Sequence, residues 1–100
     1  LSFMDQSYAK PLKLGDIAEH AGFSPVYFHS AFTRYMGKTP HDYLQERRLE
    51  AAKALLLTTD LPVGRIIEQC GFSSHSYFDA AFKKHCGITP GAFRKTKYSL

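Results

Sequence analysis

One hundred residues, 44% of them apolar and 22% charged, suffice for one compact domain with a small core. No apolar run approaches the roughly 20 residues of a membrane helix, so a membrane-spanning helix is excluded. The formal charge of +4 is unevenly spread: residues 1–79 hold eight Lys or Arg against nine Asp or Glu, whereas 80–100 hold Lys83, Lys84, Arg94, Lys95 and Lys97 and no acid.

A basic end on a balanced body suits a polyanion partner. Cys70 and Cys86 make no disulfide framework, and a reduced, cytoplasmic setting is expected. A chain opening on Leu1 rather than Met is expected to be a piece of a longer one, with a sensor or dimerisation domain outside it.

The chain contains itself twice. Gly22-Phe23-Ser24 returns as Gly71-Phe72-Ser73, 49 residues on. Tyr27-Phe28, Ala31-Phe32, Gly37 and Thr39-Pro40 return 50 residues on as Tyr77-Phe78, Ala81-Phe82, Gly87 and Thr89-Pro90. The extra residue of the second copy lies between Ser73 and Tyr77. Ten identities at consistent spacing predict two copies of one supersecondary unit.

In chain order, Ile17, Ala18 and Ala21 give a short apolar helical face. Gly22 suits the left-handed position past a helix end, and Phe23 can anchor the turn. Ser24 is a good N-cap and Pro25 a good first helical residue. Tyr27, Phe28, Ala31, Phe32 and Tyr35 then recur at helical spacing until Gly37. Thr39-Pro40-His41-Asp42 opens a long helix to about Leu57, with Asp42 placed for a capping box. The second copy runs through Ile66, Ile67 and Cys70, Gly71, a cap at Ser73 or Ser74, and Tyr77, Phe78, Ala81 and Phe82 to Gly87. Thr89-Pro90 opens the last helix. No hairpin signal is present. The expected fold is all-α, with about seven helices in one domain over 1–100: a first helix-turn-helix at about 14–36, a linker helix at about 40–57, a second helix-turn-helix at about 62–86 and a C-terminal helix at about 90–97.

A helical hairpin alone is a packing motif. The outer face of each second helix carries the sharper signal. Val26, His29, Ser30 and Thr33 stand at i, i+3, i+4 and i+7 and share one face. They are small or polar and uncharged at neutral pH, with Arg34 at their edge, where an ordinary solvent face favours Glu–Lys pairs. Short hydrogen-bonding side chains edged by cations suit a DNA major groove. The matching second face holds Ser76, Asp79, Ala80 and Lys83, with His75 before it and Lys84 beside it. A linker helix of about 18 residues spans roughly 27 Å. Successive major grooves on one side of B-DNA lie about 34 Å apart, so one chain is expected to engage two.

Arg48 falls on the stripe Leu44, Arg48, Ala51, Leu55. It is read as an inward-facing structural ion pair or helix cap in preference to a phosphate ligand, and Arg47, one residue away, as better placed to reach solvent or DNA.

The residues so placed resemble the DNA-binding domain of the AraC/XylS family of transcription regulators. The carrying segments are Ile17-Ala18-x-x-Ala21-Gly22-Phe23-Ser24, Tyr43-Leu44-x-x-x-Arg48-Leu49-x-x-Ala52-x-x-Leu55-Leu56, Gly71-Phe72-Ser73-x-x-Ser76-Tyr77-Phe78-x-x-x-Phe82-Lys83-Lys84 and Gly87-Ile88-Thr89-Pro90-x-x-Phe93-Arg94. The resemblance covers about residues 10 to 97. It implies seven helices, recognition helices near 25–36 and 75–86, and a ligand-sensing or dimerising domain elsewhere. It implies base-facing roles for Val26, His29, Ser30, His75, Ser76, Asp79 and Ala80. Three positions depart from the family pattern: Ser30 and Ala80 stand where Arg is frequent, Asp79 brings an acid toward the phosphates, and Ile67 replaces a small residue.

The expected function is sequence-specific binding of double-stranded DNA for transcription regulation. Val26, His29, Ser30, Thr33, His75, Ser76, Asp79 and Ala80 face bases. Arg34, Arg47, Lys83, Lys84 and Arg94 hold phosphates. RNA polymerase is an expected protein partner, and the nucleoid the expected location.

The lack of Arg at 30 and 80 leaves a helical protein-interaction domain derived from a DNA binder as the alternative. A damage-response protein using this fold as a reading module is a third. Cys70, His75, His85 and Cys86 match no zinc spacing, and Cys70 and Cys86 align with Ala21 and Met36, so no metal is expected. His20, His29, His41, His75 and His85 lie scattered with no nucleophile motif beside them. Neither enzyme activity nor a cofactor is expected.

Overall fold

The computed structural model describes Tyr8 and residues 14–98, apart from the side chains at positions 14, 15 and 17. Six α-helices occupy the described residues: α1 Leu14–Ala21, α2 Pro25–Met36, α3 Pro40–Thr58, α4 Val63–Gln69, α5 His75–Cys86 and α6 Pro90–Lys95. A 3₁₀ turn, Thr96–Tyr98, closes them. The all-α expectation holds, with six helices described against about seven expected. None is long and apolar enough to cross a membrane. The chain divides into two compact units, Leu1–Arg47 and Arg48–Leu100.

The two units turn by the same local chemistry. In the first, the N–H of Gly22 donates to Glu19 O at 3.0 Å and that of Phe23 to Ala18 O at 2.9 Å. This paired closure satisfies two carbonyls of the α1 end and needs a left-handed residue between them. Gly22 supplies it at φ 82°. In the second, Gly71 does the same at φ 90°, with Gly71 N–H on Glu68 O and Phe72 N–H on Ile67 O, both at 3.1 Å. Ser24 Oγ then accepts from Tyr27 N–H at 3.3 Å, and Ser74 Oγ from Tyr77 N–H at 3.1 Å. Ser74, not Ser73, is thus the second cap, and the extra residue of the second copy is spent in the turn. Thr39 and Thr89 cap α3 and α6 in the same way, through Asp42 N–H and Ala92 N–H.

Packing separates what local chemistry makes alike. In the second unit Leu49, Ala52, Leu56, Ile66, Ile67, Cys70, Phe72, Phe78 and Phe82 form one buried cluster. A ring chain runs through it, Phe72–Phe78 at 4.9 Å, Phe78–Phe82 at 5.5 Å and Phe82–Phe93 at 5.5 Å between centroids. Such offset and edge contacts add about 0.5–1.5 kcal/mol each beyond area burial. The first unit buries Ala18 and a smaller cluster of Phe32 and Leu44, with Tyr8, Phe28, Met36 and Tyr43 against it.

Three expectations about the apolar faces are corrected here. Ala21 is exposed although its equivalent Cys70 is buried. Tyr27, Tyr35 and Tyr77 share the helical spacing of the buried phenylalanines yet stay exposed. Phe23 is 50% exposed and leans on Tyr27, with centroids 5.3 Å apart, whereas Phe72 is 6% exposed. The side chain of Ile17 lies outside the described residues.

Cys70 is closed in by this cluster, and burial pushes its thiol up to about 11. A thiolate is the reactive form, so little of it exists near neutrality. Native protein at pH 8 is expected to leave Cys70 unmodified by a thiol alkylating agent, and denatured protein to react fully. Cys70→Ala is expected to cost about 1 kcal/mol through lost burial, read from a urea midpoint. Rapid native labelling would contradict the packing described.

Candidate nucleic-acid interface

The serine caps and glycine ends hold α2 and α5 as three-turn helices, each with one face on its core. The opposite faces are open. On α2, Val26 is 79% exposed, and His29, Ser30 and Arg34 are exposed beside it. Thr33 is half-buried and its hydroxyl donates to His29 O at 2.8 Å. Its proton is spent inside the helix, so Thr33 can offer a ligand only acceptor capacity and its methyl. No acid occurs in α2.

On α5, His75, Ser76, Asp79, Ala80, Lys83 and Lys84 are all exposed. Asp79 is the one acid of this helix, and Lys83, Lys84 and His85 fill its last turn, where cations complement the helix dipole. Arg34, Lys83 and Lys84 make no ion pair among the described residues, so their charges are available to a ligand. His85 Nε2 meets Glu50 Oε1 at 3.1 Å, and Lys53 stands 3.5 Å from the same oxygen. The hydrogen bond from His85, aided by Lys53, holds the Glu50 carboxyl below its usual range.

The α5 face opens onto a groove of about 530 Å³. Ser76, Asp79, Ala80 and Lys83 form one wall, and Val63 with the Thr89–Gly91 turn forms the other. Sequence reasoning missed the second wall, because no local signal marks residues 63 and 89–91 as neighbours of residue 79.

The cations divide by burial and partner. Arg47 is exposed, and Arg48 is 7% exposed, as the helical stripe predicts. Burial lowers the Arg48 pKa, opposed in part by the Tyr77 phenol. Arg94 is engaged within the fold. Its Nε donates to Leu56 O at 3.3 Å and its Nη2 to Thr59 O at 3.2 Å. Lys97 Nζ also donates to Thr59 O at 3.0 Å and pairs with Asp60 at 3.0 Å. These carbonyls belong to the end of α3, which has no further turn to satisfy them. Arg94 therefore clasps the end of the linker helix with two of its five N–H donors. Arg94→Ala is expected to lower stability by about 1–2 kcal/mol while leaving the salt dependence of any DNA binding unchanged. A flattened salt slope with unchanged stability would return Arg94 to the phosphates.

No three His, Cys, Asp or Glu side chains converge on a metal-sized space among the described residues. What α2 and α5 present instead are two short-chained, hydrogen-bonding faces with unpaired cations at their far ends.

Residues 17–96 match the family model described as a helix-turn-helix domain. The chain is 34% identical to the HTH-type transcriptional regulator ExsA of Pseudomonas aeruginosa, over 95% of this chain and 34% of that protein. It is 33% identical to the bifunctional transcriptional activator/DNA repair enzyme AdaA of Bacillus subtilis, over 93% of this chain and 44% of that one. The crystal structure of a transcriptional regulator from Chromobacterium violaceum, described among AraC-type DNA-binding domain-containing proteins, superposes with a TM-score of 0.88 at 34% identity. That match covers 96% of this chain and 86% of the other. The chain spans about a third of the length of the first curated relatives it matches, at 38%, 31% and 34%.

Proposed function

Since this chain belongs to the AraC-type helix-turn-helix family, we propose that it binds double-stranded DNA sequence-specifically for transcription regulation, α2 and α5 each entering a major groove and the two grooves being successive. The observation that carries this is the repeated open face: two equivalent helices turn uncharged or mixed hydrogen-bonding side chains outward and keep Arg34, Lys83 and Lys84 unpaired at the edges.

Val26, His29, Ser30 and Thr33 then meet base edges from the first unit, and His75, Ser76, Asp79 and Ala80 from the second. Arg34, Arg47, Lys83 and Lys84 meet phosphates. The activity is binding without a catalytic step and without a cofactor. A sensor or dimerisation domain outside this chain, RNA polymerase as protein partner and a cytoplasmic, nucleoid-associated location complete the reading.

Each neutralised phosphate adds about 0.9 to the slope of log K against log salt. A titration of duplex binding between 50 and 200 mM salt is expected to give a slope magnitude of about 4 to 8. Binding absent at low salt, or indifferent to salt, would sink the reading and favour a protein-interaction domain, for which the exposed rings of Phe23 and Tyr27 would be the natural contact.

A further inference from the structure

We propose that Asp79 makes the second unit select cytosine at one position of its half-site, so that α5 reads sequence as well as anchoring. This rests on the DNA-binding reading above.

The carboxylate is exposed in the wall of the α5 groove and makes no hydrogen bond or ion pair among the described residues. Its acceptor lone pairs are therefore unspent. Ala80 beside it contributes only a methyl group. Ser76 lies one turn before and Lys83 one turn after on the same wall.

An ionised carboxylate accepts and cannot donate. In the major groove, guanine offers the acceptors N7 and O6, and thymine the acceptor O4 beside its methyl. Both repel Asp79. The donors are the amino groups of cytosine and adenine. Adenine sets the acceptor N7 next to its amino group, where it opposes the second carboxylate oxygen. Cytosine carries only a C–H there. Cytosine is thus the one base whose exposed edge suits an unpaired carboxylate. Against guanine or thymine the carboxylate loses water and gains no partner, and against adenine its one bond is opposed by N7, so the wrong sequence is penalised more than the right one is rewarded. Lys83 and Lys84 offset the repulsion between Asp79 and the phosphates and keep the helix in the groove.

The test is selection from a random duplex pool with the chain carrying Asp79, with Asp79→Asn and with Asp79→Ala, beside thermal melts of all three. Asp79 is exposed, so the melts are expected to coincide. The unaltered chain is expected to enrich a cytosine at one position, and exchange of that cytosine for thymine to weaken binding about tenfold. Asp79→Asn is expected to move the preference to adenine, whose N6 and N7 suit an amide bidentately. Asp79→Ala is expected to bind every base there alike. If all three bind DNA and enrich the same base at every position, the cytosine assignment is overturned and the DNA reading stands. If none binds any duplex, both are overturned.

Discussion

Phe82→Ala is expected to remove about 3–5 kcal/mol of this chain's stability at 25 °C. Phe82 is fully buried, with Phe78 and Phe93 rings each 5.5 Å from its own. Removing a buried phenyl forfeits its transfer free energy and leaves a cavity, together about 3–5 kcal/mol. A domain of this size holds only about 5–15 kcal/mol in all. The remaining wall cannot close in cheaply, because Leu56, Ile66 and Phe78 are themselves fully buried and fixed by other neighbours. Urea unfolding followed by far-ultraviolet circular dichroism measures the loss. Tyr35→Ala is the control: at 88% exposure its effect is expected to stay within about 0.5 kcal/mol. Equal midpoint shifts for the two variants would mean that the ring chain is not the core of the second unit.

Two double substitutions are expected to separate reading from anchoring. His29→Ala/Ser30→Ala removes hydrogen-bonding groups from the α2 face and leaves Arg34 at its edge. It is expected to reduce discrimination between a selected duplex and random duplex by about 1–3 kcal/mol, with the salt slope intact. Lys83→Ala/Lys84→Ala removes two unpaired cations from the end of α5. It is expected to weaken both duplexes by nearly the same factor and to flatten the salt slope by about 2. Titrations of both duplexes at several salt concentrations give both quantities at once. A silent His29/Ser30 pair beside a Lys83/Lys84 pair that destroys discrimination would invert the assignment.

Much of the helix-turn-helix pattern was legible from local signals. A left-handed glycine, a serine cap and a threonine-proline opening act within three to five residues of themselves, so their meaning survives in the bare sequence. The repeat then doubled each such reading. Arg48 was legible for the same reason: its inward position follows from helical spacing alone. The open faces of α2 and α5 can be listed by subtracting the apolar stripe, although Tyr27 and Tyr35 share the spacing of that stripe and are exposed.

The sequence by itself thus determined where the helices start and stop and which face of each recognition helix is polar. Tertiary structure decided what depends on a neighbour far along the chain. Phe23 and Phe72 occupy the same turn, yet only Phe72 has Phe78 and the Leu49–Phe82 cluster to cover it. Arg94 looked as available as Lys84 until the end of α3, 35 and 38 residues away, presented two carbonyls lacking a next turn. The groove beside Asp79 needs Val63 and Thr89, which no spacing rule brings to residue 79. Backbone caps are short-range and depend on residue type. Burial and the commitment of a charge are set by what packs opposite, and a linear pattern does not contain that.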